Sequence, residues 1–472
     1  MNLFLPETIV VALVAIFSCL TLGSPKKVYE KLNGVALFGA AAVLGATLAC
    51  LNLTGNLFSS SYRVDLLSQG FKFMFALSFG FVVLFSKEAP SIHPSRRAEY
   101  YLFLSTALLG MMMLASAVEL LTLFVAMELS SYSLYLLASL KQENKNPESS
   151  VKYLLFGAAT SGIFLWGVSL VVGLAGTTSL LEIAARLNVL SHQPAFILGL
   201  VFASFAFLFK LSGAPMHFWA PDVYECASTQ VTTFIATASK AAAVALFVRF
   251  FILAGMPGAV VVILGVLAFT SMTLGNCVAL VQKDTKRLLA YSSIAQAGYI
   301  LTGLLSATPE GYSSSFFYAL AYVLMNTGAF LVVLWVGKAA ATDNPLISDF
   351  DGLADRSGLL ALLLLLSLLS LAGIPPLMGF TGKWILFSAA MDKGHWFLVL
   401  WGVLNSVVSL FYYLTIVKHA YLEKPKISSP IILPMPIKLA CLALICAIIS
   451  LGLFPNPFIT LAQHAISSAM PL

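Results

Sequence analysis

Four ionisable side chains stand inside or beside long apolar runs of this sequence. Glu128 and Lys240 each lie within such a run, Lys210 directly precedes a Gly-x-Pro motif, and Lys383 follows a second one. Burial disfavours the charged form of a lysine and a nearby carboxylate favours it, so relative movement of the two would make the lysine hold or release a proton. Such a row, bridged by water, could act as a proton relay; its structural alternative is a set of buried ion pairs that only hold helices together.

Other charged residues close to this row carry weaker signals. His217 follows the first Gly-x-Pro motif, where a side chain that titrates near neutrality could join a relay or could simply be a hydrogen-bonded histidine. Lys152 and Arg249 fall near predicted span ends, where a long side chain can extend its charge to the membrane surface. Asp222 is predicted to cap the short helix after the motif.

No cofactor is predicted on this chain. The six cysteines include no C-x-x-C pair, the spacing that iron–sulfur and structural zinc sites usually require. We also find no phosphate-binding loop and no dinucleotide-binding fingerprint. The cysteines are therefore interpreted as small apolar residues within helices.

The composition indicates an integral membrane protein. Of 472 residues 60% are hydrophobic and 10% are charged, whereas soluble proteins hold about 25% charged residues. Uncharged runs of about 20 residues match a helix crossing a hydrocarbon core of about 30 Å, and barrel strands would be shorter and alternating. The sequence thus predicts an all-α membrane protein.

About fourteen transmembrane helices are predicted. The first lacks a basic leader and is interpreted as a retained helix with an external N-terminus. The predicted spans are 3–22, 32–51, 66–86, 99–115, 117–140, 149–174, 194–213, 229–253, 257–281, 286–306, 312–337, 357–374, 394–421 and 431–453.

Basic residues alternate between the predicted loops. Loops after even-numbered spans hold little beyond Arg63, Arg186 and Lys393. Because basic loops are cytoplasmic, both termini are expected on the outer, periplasmic side, and the net charge of +6 reflects topology and lipid headgroups rather than nucleic acid. The loops after odd-numbered spans hold Lys26, Lys27, Lys31, Lys87, Arg96, Arg97, Lys141, Lys145, Lys283, Lys286, Arg287, Lys338, Arg356, Lys418, Lys424 and Lys426.

An internal repeat is predicted around two broken helices. Residues 211–218 resemble 371–378 at the Gly-x-Pro motifs, and residues 151–155 resemble 285–289. Proline breaks a helix, and transporters often contain inverted repeats with broken helices. Because each unit has five helices, the second must be inverted; chance recurrence in a Gly-rich apolar chain is the alternative. The predicted divisions are a three-helix segment 1–98, repeats 99–255 and 256–421, and a C-terminal helix 422–472.

The segments around these residues resemble the antiporter-like subunits of respiratory complex I. Within this family, the length, the Pro-Asp-Val-Tyr segment and Lys383 resemble the N-type members. The matching segments are F-V-A-M-E-L-S-S-Y (124–132), S-S-V-K-Y-L-L-F-G-A (149–158), F-K-L-S-G-A-P-M-H-F-W-A-P-D-V-Y (209–224), T-F-I-A-T-A-S-K (233–240), K-R-L-L-A-Y-S-S-I (286–294) and L-S-L-A-G-I-P-P-L-M-G-F-T-G-K (369–383).

The resemblance implies a role for each site residue. Glu128 would pair with Lys210, Lys240 would be the central relay residue, Lys383 the outer one, and Lys152 would assist at the cytoplasmic input. The family commonly has a histidine where this chain has Gln296, which cannot titrate but can hold water.

The resemblance also implies an assembly in a bacterial inner membrane. Its partners would be other membrane subunits, a peripheral redox arm and lipids, with flavin, iron–sulfur clusters and quinone on the partner subunits. Three functions stay open: a proton-translocating subunit of an NADH:quinone oxidoreductase, a subunit of a multisubunit Na⁺/H⁺ antiporter, and a membrane scaffold without its own ion path.

Overall fold

The computed structural model describes residues 2–23, 29–87, 91–141, 148–425 and 429–470. The predicted cytoplasmic lysines Lys26, Lys27, Lys145 and Lys426 lie outside these ranges. Within them the chain forms α-helices joined by short loops, together with a two-stranded antiparallel β-hairpin. The all-α class predicted from the sequence is confirmed.

The element bounds fall into three groups around two helix breaks. The elements before the first break are α1 (Leu5–Gly23), α2 (Tyr29–Ala49), β1 (Gly55–Leu57), β2 (Tyr62–Val64), α3 (Leu66–Ser86), α4 (Arg97–Ser116), α5 (Leu120–Ser139), α6 (Glu148–Ala175), α7 (Leu180–Ala185), α8 (Leu187–Leu190) and α9 (Pro194–Leu211). Those between the breaks are α10 (Trp219–Cys226), α11 (Thr229–Phe234), α12 (Lys240–Ala254), α13 (Gly258–Ala279), α14 (Thr285–Leu304), α15 (Pro309–Ala339), α16 (Leu353–Arg356) and α17 (Gly358–Ala372). Those after the second break are α18 (Met378–Asp392), α19 (Trp396–Leu422), α20 (Met435–Leu453) and α21 (Asn456–Ala469).

Twelve helical segments of the described chain are long and apolar enough to cross a bilayer. Two predicted spans, α14 and α17, fall outside this group. The segment α14 has Lys286 and Arg287 in its first turn and also contains Ser292, Ser293 and Gln296. The segment α17 stops after 15 residues at a break. The membrane-spanning class is therefore confirmed, and the number fourteen stays a prediction.

Two of the spans form the centre of the bundle. Thr229–Ala254, which contains α11 and α12, and Pro309–Ala339, which is α15, each contain an 18-residue apolar stretch that is fully buried within the chain. The first is interrupted by a π-helical turn, Ile235–Ser239, directly before Lys240. Such turns interrupt the regular hydrogen bonding of an α-helix and are frequent at functional sites.

The two helix breaks share one local form. The residue that caps the C-terminal end of α9 is Ser212 and that of α17 is Gly373, and both have the left-handed conformation with φ of 60° and 88°. In each break the backbone N–H of the following residue donates a hydrogen bond to the carbonyl five residues earlier in the chain. These bonds run from Gly213 to Leu208 at 2.8 Å and from Ile374 to Leu369 at 3.0 Å, and each satisfies a carbonyl at the end of the helix. Prolines then prevent the helix from continuing, and α10 and α18 begin beyond them.

This common form is what the repeat hypothesis predicts for the Gly-x-Pro motifs. The inverted repeats and the four divisions of the chain stay predictions. The sequence did not predict α18, because it interpreted the residues after the second break as a connection to the next span.

Candidate functional site

Glu128 and Lys210 face one small cavity. Glu128 Oε1 on α5 accepts a hydrogen bond from Ser161 Oγ of α6 at 2.6 Å. Lys210 Nζ in the last turn of α9 donates to the hydroxyls of Ser130 and Ser131 at 2.6 and 3.2 Å. Both residues line a cavity of about 10 Å³, close to the space that one water needs. We call it the Lys210 cavity.

The expected direct pairing of Glu128 with Lys210 is not formed. No ion pair joins these two described side chains, because serine hydroxyls hold both the carboxylate and the ammonium group. Lys210 is 4% exposed, whereas Glu128 is only partly buried at the surface of the chain. The two charges thus share a polar cavity rather than a contact.

Lys240 is bound to the first helix break. Its Nζ donates to the carbonyl of Leu211 and, at 2.6 Å, to Ser212 Oγ. These are the last residue of α9 and its left-handed cap, so the lysine lies at the negative end of a helix dipole. The π-helical turn Ile235–Ser239 immediately precedes Lys240 on the same span.

Lys383 is bound to the second break in the same way. Its Nζ donates to the carbonyls of Leu371 and Ala372 at 2.9 and 3.1 Å and to Ser406 Oγ at 2.9 Å. It also lies 4.5 Å from the ring centroid of Tyr299. Two of the three lysines in the predicted row, Lys240 and Lys383, thus cap the carbonyl end of a broken helix.

Gln296 shares the second break with Lys383. Its Nε2 donates to the carbonyl of Leu371 at 3.0 Å, and its Oε1 accepts from the hydroxyl of Tyr318 at 2.5 Å. An amide can donate and accept at once, so the residue joins the break to α15 without titrating.

Lys152 and His217 line a second pocket of about 310 Å³, which we call the Lys152 pocket. Lys152 Nζ lies 3.0 Å from Asp222 Oδ2 and 2.8 Å from Glu148 Oε1. Arg287 contacts the other Asp222 oxygen at 3.0 Å. His217 is 5% exposed, and its Nδ1 has no hydrogen-bond partner among the described residues. A buried polar atom of this kind is a position for an ordered water.

The structure corrects the prediction for Asp222. The side chain makes no capping hydrogen bond to α10. It instead bridges Lys152 of α6 and Arg287 of α14, and so ties the short helix to both neighbours.

The expectation that Arg249 extends to the membrane surface is wrong. Its guanidinium is 1% exposed and binds both carboxylate oxygens of Asp65 at 2.6 and 2.7 Å, with a further bond to the Ala115 carbonyl. Burial alone would raise the pKa of Asp65, which lies just outside α3, but the charge and hydrogen bonds of Arg249 outweigh it and lower that pKa.

Buried ionisable groups outside the predicted row were missed. Lys72 Nζ lies 2.7 Å from Glu7 Oε1, both residues are fully buried, and Tyr62 donates to the same oxygen at 2.6 Å. Lys286, counted as a loop charge, is fully buried and donates to the Ala227 carbonyl at the end of α10. An acid in the first turn of an apolar span was the available signal for Glu7.

Neutral polar residues complete the site and were also missed. Asn276 of α13 donates to Tyr299 and Asn405 at 3.0 and 3.1 Å and accepts from Tyr412 at 3.0 Å. Ser271 accepts from the amide of residue 214 at the first break. Such residues inside apolar helices are a usable signal, because polar groups in a membrane core need partners.

The predicted residues occupy separate positions, so any proton exchange between them would have to pass through intervening groups. In the described ranges, no hydrogen bond or ion pair joins any two of Glu128, Lys210, Lys240 and Lys383. Serine hydroxyls, amides and cavities surround them instead, and these groups can orient water between donors and acceptors. The described residues contain no group of three or more His, Cys, Asp and Glu side chains that could hold a metal.

Comparison with known proteins gives one consistent result. The family described as NADH:quinone oxidoreductase/Mrp antiporter, transmembrane, matches residues 117–409. The NADH-quinone oxidoreductase subunit N 2 of Syntrophobacter fumaroxidans is 42% identical over 468 residues, which cover 98% of each chain.

Solved structures agree with this match. A chain of respiratory complex I from Thermus thermophilus, with bound aureothin, is 32% identical with a TM-score of 0.83, covering 98% of this chain and 100% of that one. A chain of the Mrp complex from Dietzia sp. DQ12-45-1b reaches 0.87 over 99% and 97% but is 20% identical, so it shows the fold alone. The protein therefore belongs to the NADH:quinone oxidoreductase/Mrp antiporter family, within its subunit N group.

Proposed function

We propose that the chain is the proton-translocating membrane subunit of a complex I-type NADH:quinone oxidoreductase. The observation that carries this proposal is the binding of Lys240 and Lys383 to the carbonyl ends of two broken helices. Fully buried lysines are rare in membrane proteins and mark ion pathways. Because the chain belongs to the subunit N group, we infer that this pathway operates in an NADH:quinone oxidoreductase.

The geometry supports a proton route in steps. A proton from the Lys152 pocket would reach the amine of Lys210, then Lys240, then Lys383, through water and hydroxyl groups. An ammonium donor strengthens its bonds to a helix carbonyl end, and loss of the proton weakens them. The protonation state of each lysine and the position of its helix break are therefore coupled.

The proposal includes the location and the partners. The chain would lie in a bacterial inner membrane with both termini on the outer side, among other membrane subunits and lipids. A peripheral redox arm would supply the driving reaction, with flavin, iron–sulfur clusters and quinone held by partner subunits. This chain's residues would only move protons.

The first test is purification of the tagged protein from its own membranes in a mild detergent. Copurification of NADH:quinone activity, with flavin and iron–sulfur absorbance, would support the proposal. Activity only with a different electron donor would replace NADH in the proposal and leave the proposed proton route unchanged. Absence of redox activity, with sodium-for-proton exchange in vesicles, would favour the antiporter function.

The second test is Lys210→Met in the assembled complex in proteoliposomes. We expect turnover coupled to proton translocation to fall, because the amine in the Lys210 cavity is lost. Lys393→Ala, which removes an exposed lysine just beyond α18, is the control. Impaired assembly with normal pumping per assembled complex would favour the scaffold function, and normal pumping with normal turnover would remove Lys210 from the route.

A further inference from the structure

An aromatic cluster lies close to both the Lys210 cavity and the Lys152 pocket. The ring of Tyr153 on α6 stacks on Trp219 of α10, with centroids 4.3 Å apart and planes 12° from parallel. Tyr153 also contacts Tyr135 at 4.6 Å and Phe209 at 5.9 Å. Tyr153 and Trp219 are 3% and 1% exposed, so the cluster is part of the interior.

The members of this cluster border different cavities. Tyr135 and Phe209 line the Lys210 cavity, whereas Phe218, next to Trp219 in the chain, lines the Lys152 pocket. The two cavities share no lining residue among those described. The Tyr153–Trp219 stack thus contacts two residues in the wall of the Lys210 cavity and is next in the chain to Phe218 in the wall of the Lys152 pocket.

Trp219, one of the two stacked rings, is the first residue of the short helix α10. Trp219 Nε1 donates to the Phe209 carbonyl at 3.0 Å, which fixes α10 against the last turn of α9. On the pocket side, Asp222 binds Lys152 and Arg287. The 8 residues of α10 are thus held by the indole bond of Trp219, by the bridging carboxylate of Asp222 and by Glu225, which binds Arg287 at 2.7 Å. The side chain of Lys152 is 40% exposed.

We propose that Tyr153 and Trp219 form a gate, closed in this structure, between the Lys152 pocket and Lys210. The inference rests on the proposed function. The stacked ring faces offer no hydrogen-bond donors or acceptors, and the Trp219 N–H is already bound to the Phe209 carbonyl. A proton would therefore cross when the rings separate and water enters. The proton would then leave a water of the pocket and bind the neutral amine of Lys210, and the two aromatic residues would neither gain nor lose one.

Tyr153→Leu tests the gate by opening a gap in the stack. The assembled complex is reconstituted in vesicles without electron donor, and proton influx is measured after a membrane potential is imposed with potassium and valinomycin. We expect a several-fold faster influx than in the wild type. The matched control is Phe164→Leu, which truncates another fully buried aromatic residue of α6 that packs on Phe124 and Phe207 and borders neither cavity.

The combined variant Tyr153→Leu/Lys210→Met locates the leak. Suppression of the faster influx by Lys210→Met would support the gate, whereas an equal influx with or without Lys210 would place the leak elsewhere and overturn it. Equal proton influx in Tyr153→Leu and Phe164→Leu would mean that the aromatic cluster only packs the core, and this result would overturn the gate. Trp219→Phe, which keeps a ring and removes the indole bond, repeats the test if Tyr153→Leu fails to assemble.

Failure of the gate and failure of the proposed function give different results. Unchanged influx in Tyr153→Leu, with Lys210→Met still lowering coupled pumping, overturns the gate and leaves the proton route. Unchanged influx together with normal pumping by Lys210→Met overturns both.

Discussion

At the scale of single residues, the buried lysines of this chain are held mainly by oxygen atoms without formal charge. Lys210 binds two serine hydroxyls, while Lys240 and Lys383 bind a hydroxyl and helix-end carbonyls. A carboxylate partner would hold the ammonium form firmly, whereas dipoles hold it less strongly. This arrangement suits groups that must both take up and release a proton.

Replacement of Lys240 can separate its charge from its capping role. Lys240→Gln keeps a donor for the Leu211 carbonyl, so we expect normal assembly and stability with loss of coupled proton translocation. Lys240→Met also removes the donor, and an unsatisfied buried carbonyl costs about 1–3 kcal/mol. Proton-to-electron ratios and thermal unfolding measure the two effects, and wild-type pumping by Lys240→Gln would contradict the relay role.

The Asp65–Arg249 pair predicts a dependence of stability on pH. The pKa of Asp65 is lowered in the folded chain, so its stabilisation is present above the unfolded pKa of about 3.9 and is lost as the pH falls through the lower folded pKa. We expect the thermal midpoint to fall in strong acid. Labelling of the buried Cys441, located by mass spectrometry, reports unfolding.

Asp65→Asn is the matching variant. The fall of the thermal midpoint in acid should be smaller in this variant than in the wild type. Because Arg249 is then buried without its counter-charge, we also expect the free energy of unfolding near pH 7 to fall by about 3–5 kcal/mol. If the thermal midpoint of the variant falls in acid as much as that of the wild type, other groups cause the loss of stability.

At the scale of elements, close helix packing and helix breaks determine where the site residues lie. α6 and α9 approach each other at Gly167 and Gly199, so that a Cβ atom on either would lie 2.6–2.8 Å from the other's carbonyl oxygen. This contact positions the helix that carries Lys210 against the helix that carries Lys152 and Tyr153. Small residues at such crossings are typical of membrane helices.

Gly167→Ala tests this packing, with Gly162→Ala as control on the same helix. The added Cβ at residue 167 meets backbone atoms, which cannot rotate away, and we expect a loss of about 1–3 kcal/mol. At residue 162 no atom lies within 4 Å, so the control should be neutral or slightly stabilising. Equal thermal midpoints for both variants would contradict the close contact.

At the scale of the whole molecule, two spans with fully buried apolar stretches form a centre and the other helices surround it. Outer helices such as α6 and α13 are only one-third buried, and large apolar side chains including Trp166, Trp384 and Phe411 are exposed on the isolated chain. In a membrane these surfaces meet lipid or other subunits. The burial pattern therefore matches one subunit of a larger membrane assembly.

The proposed orientation predicts which loops react from outside the cell membrane. Asn56, exposed between α2 and α3, and Lys283, exposed between α13 and α14, should lie on opposite sides. In a cysteine-free background, Asn56→Cys should react with an impermeant maleimide in spheroplasts, and Lys283→Cys only after permeabilisation. The reverse pattern would place both termini inside.

The sequence by itself determined the class of this protein and most of its candidate residues. Apolar length and few charges require membrane helices, Gly-x-Pro motifs predict helix breaks, and ionisable residues stand out within apolar runs. These signals are local, so they survive without any knowledge of partners. They also marked Lys210, Lys240 and Lys383 correctly as buried residues beside or between breaks.

Only the tertiary structure decided what each charge contacts. Arg249 is 184 residues from Asp65, and Lys72 is 65 residues from Glu7, so no local pattern could pair them. The serines that replace a direct contact between Glu128 and Lys210 and the Tyr153–Trp219 stack likewise join distant segments of the chain. In an interior where almost every residue is apolar, partner choice depends on which helices meet, and sequence spacing along one helix does not contain that information.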